Sequence, residues 1–315
     1  MKSVIRRYLK ILESEPSEID FANWEVFKTE SFINGDDKTK SDFYFKSVDY
    51  NYKYEKEFCF IEEYFSNVNI NDFYDKKVLD LGCFTGGRLI RWIEKFNFKN
   101  GYGIDINPIF KVAGQHYVKK EKPELAEKIK LFTGVGEKLP FDDESIDFIF
   151  SFDVLEHVKD VNLVISECKR VLKKSGLLLV AFPQFYQPLE SHLGFVSKSP
   201  AIHWFFKGKD ITRVYYDIIK ARGKKAEWYQ LDSPKLEEWE KLPSLNGISI
   251  RRFSKIIKDH NMNVLFKGRD AIFSDGRLAK KMMIFKILRF LLFIPAQIPI
   301  LNELFLSKIN WIIKK

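Results

Sequence analysis

Val78-Leu79-Asp80-Leu81-Gly82-Cys83-Phe84-Thr85-Gly86-Gly87 decides the fold of this chain. A short apolar strand runs into a glycine loop, and Gly87-Arg88-Leu89-Ile90 opens a helix. At the carboxyl edge of a parallel sheet, such a loop lets a ligand lie against bare backbone. Gly82 and Gly86 permit that approach, and the first helical turn offers unpaired N–H groups. A second apolar strand, Gly101-Tyr102-Gly103-Ile104-Asp105, ends in a carboxylate about 20 residues on, the spacing at which nucleotide folds hold a ribose. An ionised carboxylate only accepts hydrogen bonds, so Asp105 suits two ribose hydroxyls. The plainer alternative is a tight turn followed by a solvated Asp. The strand-end position at this spacing favours the ligand reading.

Outward from that stretch, short apolar segments alternate with helical ones. Strands are expected at 77–81, 100–104, 128–133, 146–151 and 176–182, and helices near 87–96, 107–120 and 160–173. This alternation argues for a parallel sheet covered by helices on both faces. After Pro183 it stops. Residues 184–246 hold Trp204, Phe205, Phe206, Trp228 and Trp239, and are too long for a simple connection, so they read as a functional insertion. Ile248–Asp259 then reads as a helix capped by Ser249, and Met262–Phe266 as a sixth strand. Leu306–Ile313 supplies a seventh, with Ile309, Trp311 and Ile313 alternating. Ahead of the first strand, Tyr54, Phe58, Ile61 and Phe65 fall at helical spacing and predict an amphipathic helix over 51–66. Residues 1–50 carry few helix signals, with a turn at Asn34-Gly35-Asp36-Asp37. The expected organisation is an N-terminal extension and cover helix, 1–72, then one domain, 73–315, containing a lid insertion at 184–246.

Five ordered segments carry a resemblance. They are Val78–Gly87, Gly103-Ile104-Asp105-Ile106-Asn107, Gly134-Val135-Gly136-Glu137-Lys138-Leu139-Pro140-Phe141, Phe148–Val158 with its Leu155-Glu156-His157-Val158, and Arg170–Gly176 leading into Leu177–Pro183. Over roughly 76–183 the chain resembles the class I S-adenosylmethionine-dependent methyltransferases, in particular the group with a Leu-Glu-His-Val helix start. The resemblance implies a doubly wound seven-stranded, mostly parallel α/β sheet of order 3-2-1-4-5-7-6. It implies S-adenosylmethionine as cofactor, with Asp80, Gly82, Cys83, Gly86, Asp105, Ile106, Val135, Gly136, Phe152 and Asp153 around it. Glu137 would structure its loop. The sequence departs from the family in three places. Phe84 fills the middle glycine position of the loop, so its side chain points away from the cofactor or narrows the pocket. Val135 stands where many relatives have an Asp for the adenine amine, which leaves adenine to backbone groups and apolar contact. Ser175-Gly176 replaces a common Pro-Gly turn.

Methyl transfer from a sulfonium is an in-line displacement, so the protein mainly excludes water and aligns the nucleophile. A hydroxyl nucleophile also gains from a base near neutral pH, for which His is suited. His192 and His203, both in the insertion, are the candidate bases, His192 first; the alternative is that either caps a lid helix. His157 reads first as support for the turn beside the cofactor. Asp153 either orients substrate or stabilises its turn. The acidic run Asp142-Asp143-Glu144 reads as a solvated loop, and no metal site is expected.

The 315 residues suffice for one large domain with a lid, and 45% hydrophobic content fits a folded protein. A net charge of +9 favours an anionic partner or surface, unless it reflects a Lys-rich composition alone. Cys59, Cys83 and Cys168 have neither metal spacing nor a disulfide framework, which fits a reducing compartment. The N-terminus lacks an uninterrupted apolar core, so a cytoplasmic protein is expected. In the tail, Ile284, Phe285, Leu288, Leu291 and Leu292 make a helical face, with Lys280, Lys281, Lys286 and Arg289 around it. Residues 278–294 therefore read either as a core helix or as a helix lying on the inner membrane surface. Lys286, Arg289, Pro295 and Pro299 exclude a spanning segment. The insertion, with its Pro188-Leu189-Glu190-Ser191-His192-Leu193-Gly194, resembles methyltransferases of bacterial glycan and envelope biosynthesis, which implies a sugar, glycan or lipid-linked acceptor. Two alternatives stay open: a non-catalytic scaffold, motivated by Phe84 and Val135, and a nucleic-acid methyltransferase. The second lacks an Asn/Asp-Pro-Pro-Tyr-type segment, so no nucleic acid is favoured.

Overall fold

The computed structural model describes residues 1–14, 35–57, 65, 73–189, 193, 196–222, 246–272 and 283–315. Its centre is a seven-stranded sheet of order β3-β2-β1-β4-β5-β7-β6, the order the sequence implies. The strands are β1 (Lys77–Leu81), β2 (Asn100–Asp105), β3 (Ile129–Thr133), β4 (Ile146–Phe152), β5 (Leu172–Phe182), β6 (Asn263–Lys267) and β7 (Ile309–Lys314). The first five pair in parallel, and β7 runs antiparallel between β5 and β6. Central strands read as continuous apolar runs because both faces are covered. Val78, Leu79 and Leu81 of β1 and Phe148, Ile149 and Phe150 of β4 are buried. β7 is buried from Ile309 to Ile313 on both faces, so the alternation expected of it is not what fixes its place.

Several boundaries differ from expectation, most of all where β5 begins. The helix expected to reach 173 ends at Val171, and β5 begins at Leu172, which pairs with Ile146 before the register shifts at Phe148. Ser175 takes up that irregularity at φ +66°. At the N-terminus, helices form where few signals were read: α1 (Lys2–Ile11) and α2 (Asp37–Glu57). α2 overlaps the expected 51–66 helix at 51–57 and extends back to Asp37. Asp36 caps it by accepting the Thr39 N–H at 2.8 Å, so the residue read as a turn is an N-cap. Of the stripe predicted for 51–66, Phe58 and Ile61 lie outside the described residues. Phe65 is buried among Phe73, Trp92 and Phe148.

The chain divides into two compact units, one comprising 30–182, 253–268 and 309–315, the other 1–29, 183–252 and 269–308. In the first, α3 (Gly87–Phe96) buries Leu89, Ile90, Trp92 and Ile93 against the sheet. The Trp92 ring lies 4.0 Å from Phe150. α4 (Pro108–Glu121) opens with Pro at its first turn and the Asn107 side chain accepting the Ile109 N–H. α5 (Val161–Val171) is capped by Asp160. α8 (Ile250–Asp259) has residues in both units and is capped by Ser249, whose hydroxyl accepts from Arg252 N–H at 3.1 Å. In the second unit, Ile5 and Leu9 of α1 are buried with Leu193, Val196, Ile202, Val214 and Ile218. The last three come from α6 (Ile202–Phe205) and α7 (Gly208–Ala221). The first helix of the chain thus packs with residues from the 184–246 region. The same unit holds α9 (Met283–Gln297) and α10 (Asn302–Phe305).

Candidate functional site

The loop after β1 is built from backbone geometry. Gly82 and Gly86 sit at φ +76° and +82°, conformations that L side chains rarely adopt. A Cβ on Gly82 would come within 2.1 Å of Val154 Cγ2, so the turn is tight as well as left-handed. Gly82 and Cys83 N–H groups both donate to the Ile104 carbonyl of β2, at 2.9 and 3.0 Å. Gly86 is the residue before α3 and has no side chain to cap it, which leaves the first helical N–H groups without a side-chain acceptor. Gly87 lets α2 pass close by: a Cβ there would meet the Val48 carbonyl at 2.4 Å.

Asp105 ends β2 beside that loop. Its Oδ2 accepts the Phe84 N–H and its Oδ1 the Asn107 N–H, both at 3.0 Å. Each oxygen is thereby oriented while keeping a second lone pair. Phe84 adopts φ +49° and rests its ring 4.2 Å from Phe110 of α4, in contact with the next ring, Tyr44 of α2. Its side chain is thus drawn towards α4. Ile106 and Val135, at the carboxyl ends of β2 and β3, are 74% and 47% exposed. Both are apolar groups presented to solvent where neighbouring strands end, with Asp105 paired to Thr133. Gly136 follows Val135, and Glu137 accepts the Lys159 and Asp160 N–H groups, so its carboxylate ties two loops together.

Asp80 is fully buried in β1, and burial pushes its carboxyl up to about 8 despite the opposing charge of Arg88. Arg88 in turn pairs with Glu55 of α2 at 3.1 Å and lies 4.4 Å above the Phe152 ring. Glu55 also accepts from the buried Trp92 Nε1 at 2.8 Å. This Glu55–Arg88–Phe152 arrangement was missed in the sequence, because nothing local links a helix residue to a partner 33 positions on. Cys83 is buried, and burial holds its thiol well above the usual range. Asp153, just past β4, is left-handed at φ +54° and donates its N–H to the Ala181 carbonyl at 2.7 Å. His157 follows at the surface, its Nε2 3.7 Å from buried Glu156. His203 belongs to the other unit. Its ring is buried beside Phe185, 5.1 Å away, and burial pulls it down to about 4. His192 lies outside the described residues. Among the described residues no cluster of His, Cys, Asp or Glu could hold a metal ion.

Residues 79–180 match the family described as "methyltransferase domain". The sterol 24-C-methyltransferase ERG6B of Gibberella zeae is 33% identical over 43% of this chain and 34% of its own length. Sarcosine/dimethylglycine N-methyltransferase of Aphanothece halophytica is 36% identical over 32% of this chain and 35% of its own. Ubiquinone biosynthesis O-methyltransferase of Bartonella tribocorum is 32% identical over 36% of this chain and 44% of its own. The chain thus spans less than half the length of these relatives. Their names include carbon, nitrogen and oxygen acceptors, so likeness alone does not select an acceptor atom.

Proposed function

We propose that this chain, through its domain at 79–180, is a class I S-adenosylmethionine-dependent methyltransferase that transfers a methyl group to a hydroxyl of a sugar, glycan or lipid-linked acceptor. The observation that carries the cofactor assignment is the Asp105 carboxylate, fixed by two backbone N–H groups next to the Gly82–Gly86 turn. Its two remaining lone pairs would accept the ribose hydroxyls. The turn, closed to any Cβ at Gly82, would admit the methionine end against bare backbone. Ile106 and Val135 would flank the adenine ring, with backbone at Gly136 below it. Asp80, Cys83 and Gly86 would form the floor, and Phe152 and Asp153 the wall towards the acceptor.

S-adenosylmethionine, when bound, supplies a methyl group already activated on sulfur. The chain's own work is then to align an acceptor oxygen and keep water away. The proton leaving that oxygen is assigned to His192 or His203, with His157 supporting its turn. Burial keeps His203 neutral at pH 7 but also makes it a weak base, which favours His192 of the two. The acceptor class rests on the aromatic insertion and on the resemblance of its 188–194 segment to envelope methyltransferases. Calorimetric titration with S-adenosylmethionine and S-adenosylhomocysteine tests the cofactor reading. Micromolar binding is expected, weakened about 10- to 100-fold by Asp105→Ala, which removes hydrogen bonds to a charged group. No binding by folded protein would replace the enzyme with a scaffold.

A further inference from the structure

α9 turns an apolar strip outward. Met283, Ile287, Phe290, Leu291 and Ile294 fall at i, i+4, i+7, i+8 and i+11, one side of a helix. They are 70, 49, 78, 60 and 69% exposed. Ile298 and Ile300 continue the strip past the helix end, also exposed. On the opposite side Leu288 and Leu292 are half-buried and Ala296 is buried. α9 is therefore neither a plain core helix nor an ordinary surface helix, whose outer side would be polar. Single exposed apolar residues need no explanation, but a contiguous row of them marks an interaction surface.

Charge indicates what that surface meets. From Gly276 to Asn302 the sequence holds Arg277, Lys280, Lys281, Lys286 and Arg289 and neither Asp nor Glu. Two of those bases lie within α9 itself. A second copy meeting the strip in a two-fold symmetric contact would bring this basic segment against itself. An anionic lipid surface satisfies both halves at once. The helix has 15 residues, roughly 22 Å at 1.5 Å each, too short for a hydrocarbon core of about 30 Å. Among the described residues no helix is long and apolar enough to cross a membrane.

We propose that α9 is an in-plane membrane anchor. Its Met283–Ile294 strip enters the boundary between headgroups and acyl chains of an anionic bilayer, and the positive net charge of 276–302 adds attraction to that surface. The anchor does not depend on cofactor binding, so the two readings fail separately. Flotation of the full-length chain tests it, with phosphatidylcholine vesicles alone or mixed with phosphatidylglycerol. The chain floats with the mixed vesicles and stays below with the neutral ones at physiological salt. Phe290→Asp with Ile294→Asp stays below in both, with unchanged melting temperature, since both side chains are exposed. Lys286→Glu with Arg289→Glu binds mixed vesicles about tenfold more weakly or worse. The proposal is overturned if wild-type chain ignores phosphatidylglycerol, or if the double Asp variant still floats. It is equally overturned if light scattering finds a dimer that the double Asp variant dissolves, which assigns the strip to a second copy.

Discussion

Phe84 occupies a position where glycine would cost nothing. Its left-handed φ is unfavourable by about 1–2 kcal/mol, and its contact with Phe110 returns about 0.5–1.5 kcal/mol. Phe84→Gly should therefore leave stability within about 1 kcal/mol in urea denaturation, and calorimetry should find cofactor affinity unchanged or improved. Gly82→Ala is the contrasting case, with a left-handed φ and Val154 in the path of a Cβ. Denaturant titration should find it about 1–3 kcal/mol less stable. Two buried groups set opposite pH dependences. Asp80 has a raised carboxyl in the folded chain, so its contribution is full below the ordinary carboxylate range and is lost as pH rises towards about 8. His203 is lowered to about 4, so its contribution is full above 6.5 and is lost as pH falls towards about 4. Melting curves of Asp80→Asn should flatten the alkaline decline, and those of His203→Gln the acidic one. If His203 is the proton acceptor, His203→Gln also lowers kcat by about 100-fold or more while cofactor affinity holds.

At the scale of elements, α2 shows how a helix is made by its partners. Its aromatic residues are spread around the cylinder rather than gathered on one side, because both α3 and α4 pack against it. With no single stripe over 37–50, only the part from 51 onward carries a helical pattern in the sequence. α1 was missed for a related reason: only Ile5 and Leu9 are buried, and their burial depends on residues near 193–219. The sheet was legible because its strands are continuous apolar runs punctuated by glycine loops. The loop after β1 was legible as a turn because Gly82 and Gly86 take left-handed backbone and Asp105 ends β2. The Glu55–Arg88 pair was not, since ion pairing between distant segments leaves no local pattern. Glu55→Ala strips the partner from a buried indole N–H, and thermal denaturation should register a loss of about 1–3 kcal/mol.

Across the whole molecule the chain passes between its two units at 29–30, 182–183, 252–253, 268–269 and 308–309. The sheet's strands all fall in the unit comprising 30–182, 253–268 and 309–315. The other unit gathers residues from the beginning, middle and late parts of the chain. Sequence patterns report neighbours a few residues apart, whereas this core is assembled from distant ones. Ile5→Ala should accordingly weaken the core around α7, and native-state hydrogen exchange at Val214–Ile219 should speed up even though α1 lies some two hundred residues earlier.

The late arrival of β7 has a consequence for synthesis. β5 presents one unpaired edge until Ile309–Lys314 settles beside it, and β6 reaches the sheet only through β7. A nascent chain that has already made Phe182 must keep that apolar edge away from other chains while everything up to Ile309 is still being translated. Chaperone demand during translation, rather than the stability of the finished fold, would then set how much of this protein a cell can make.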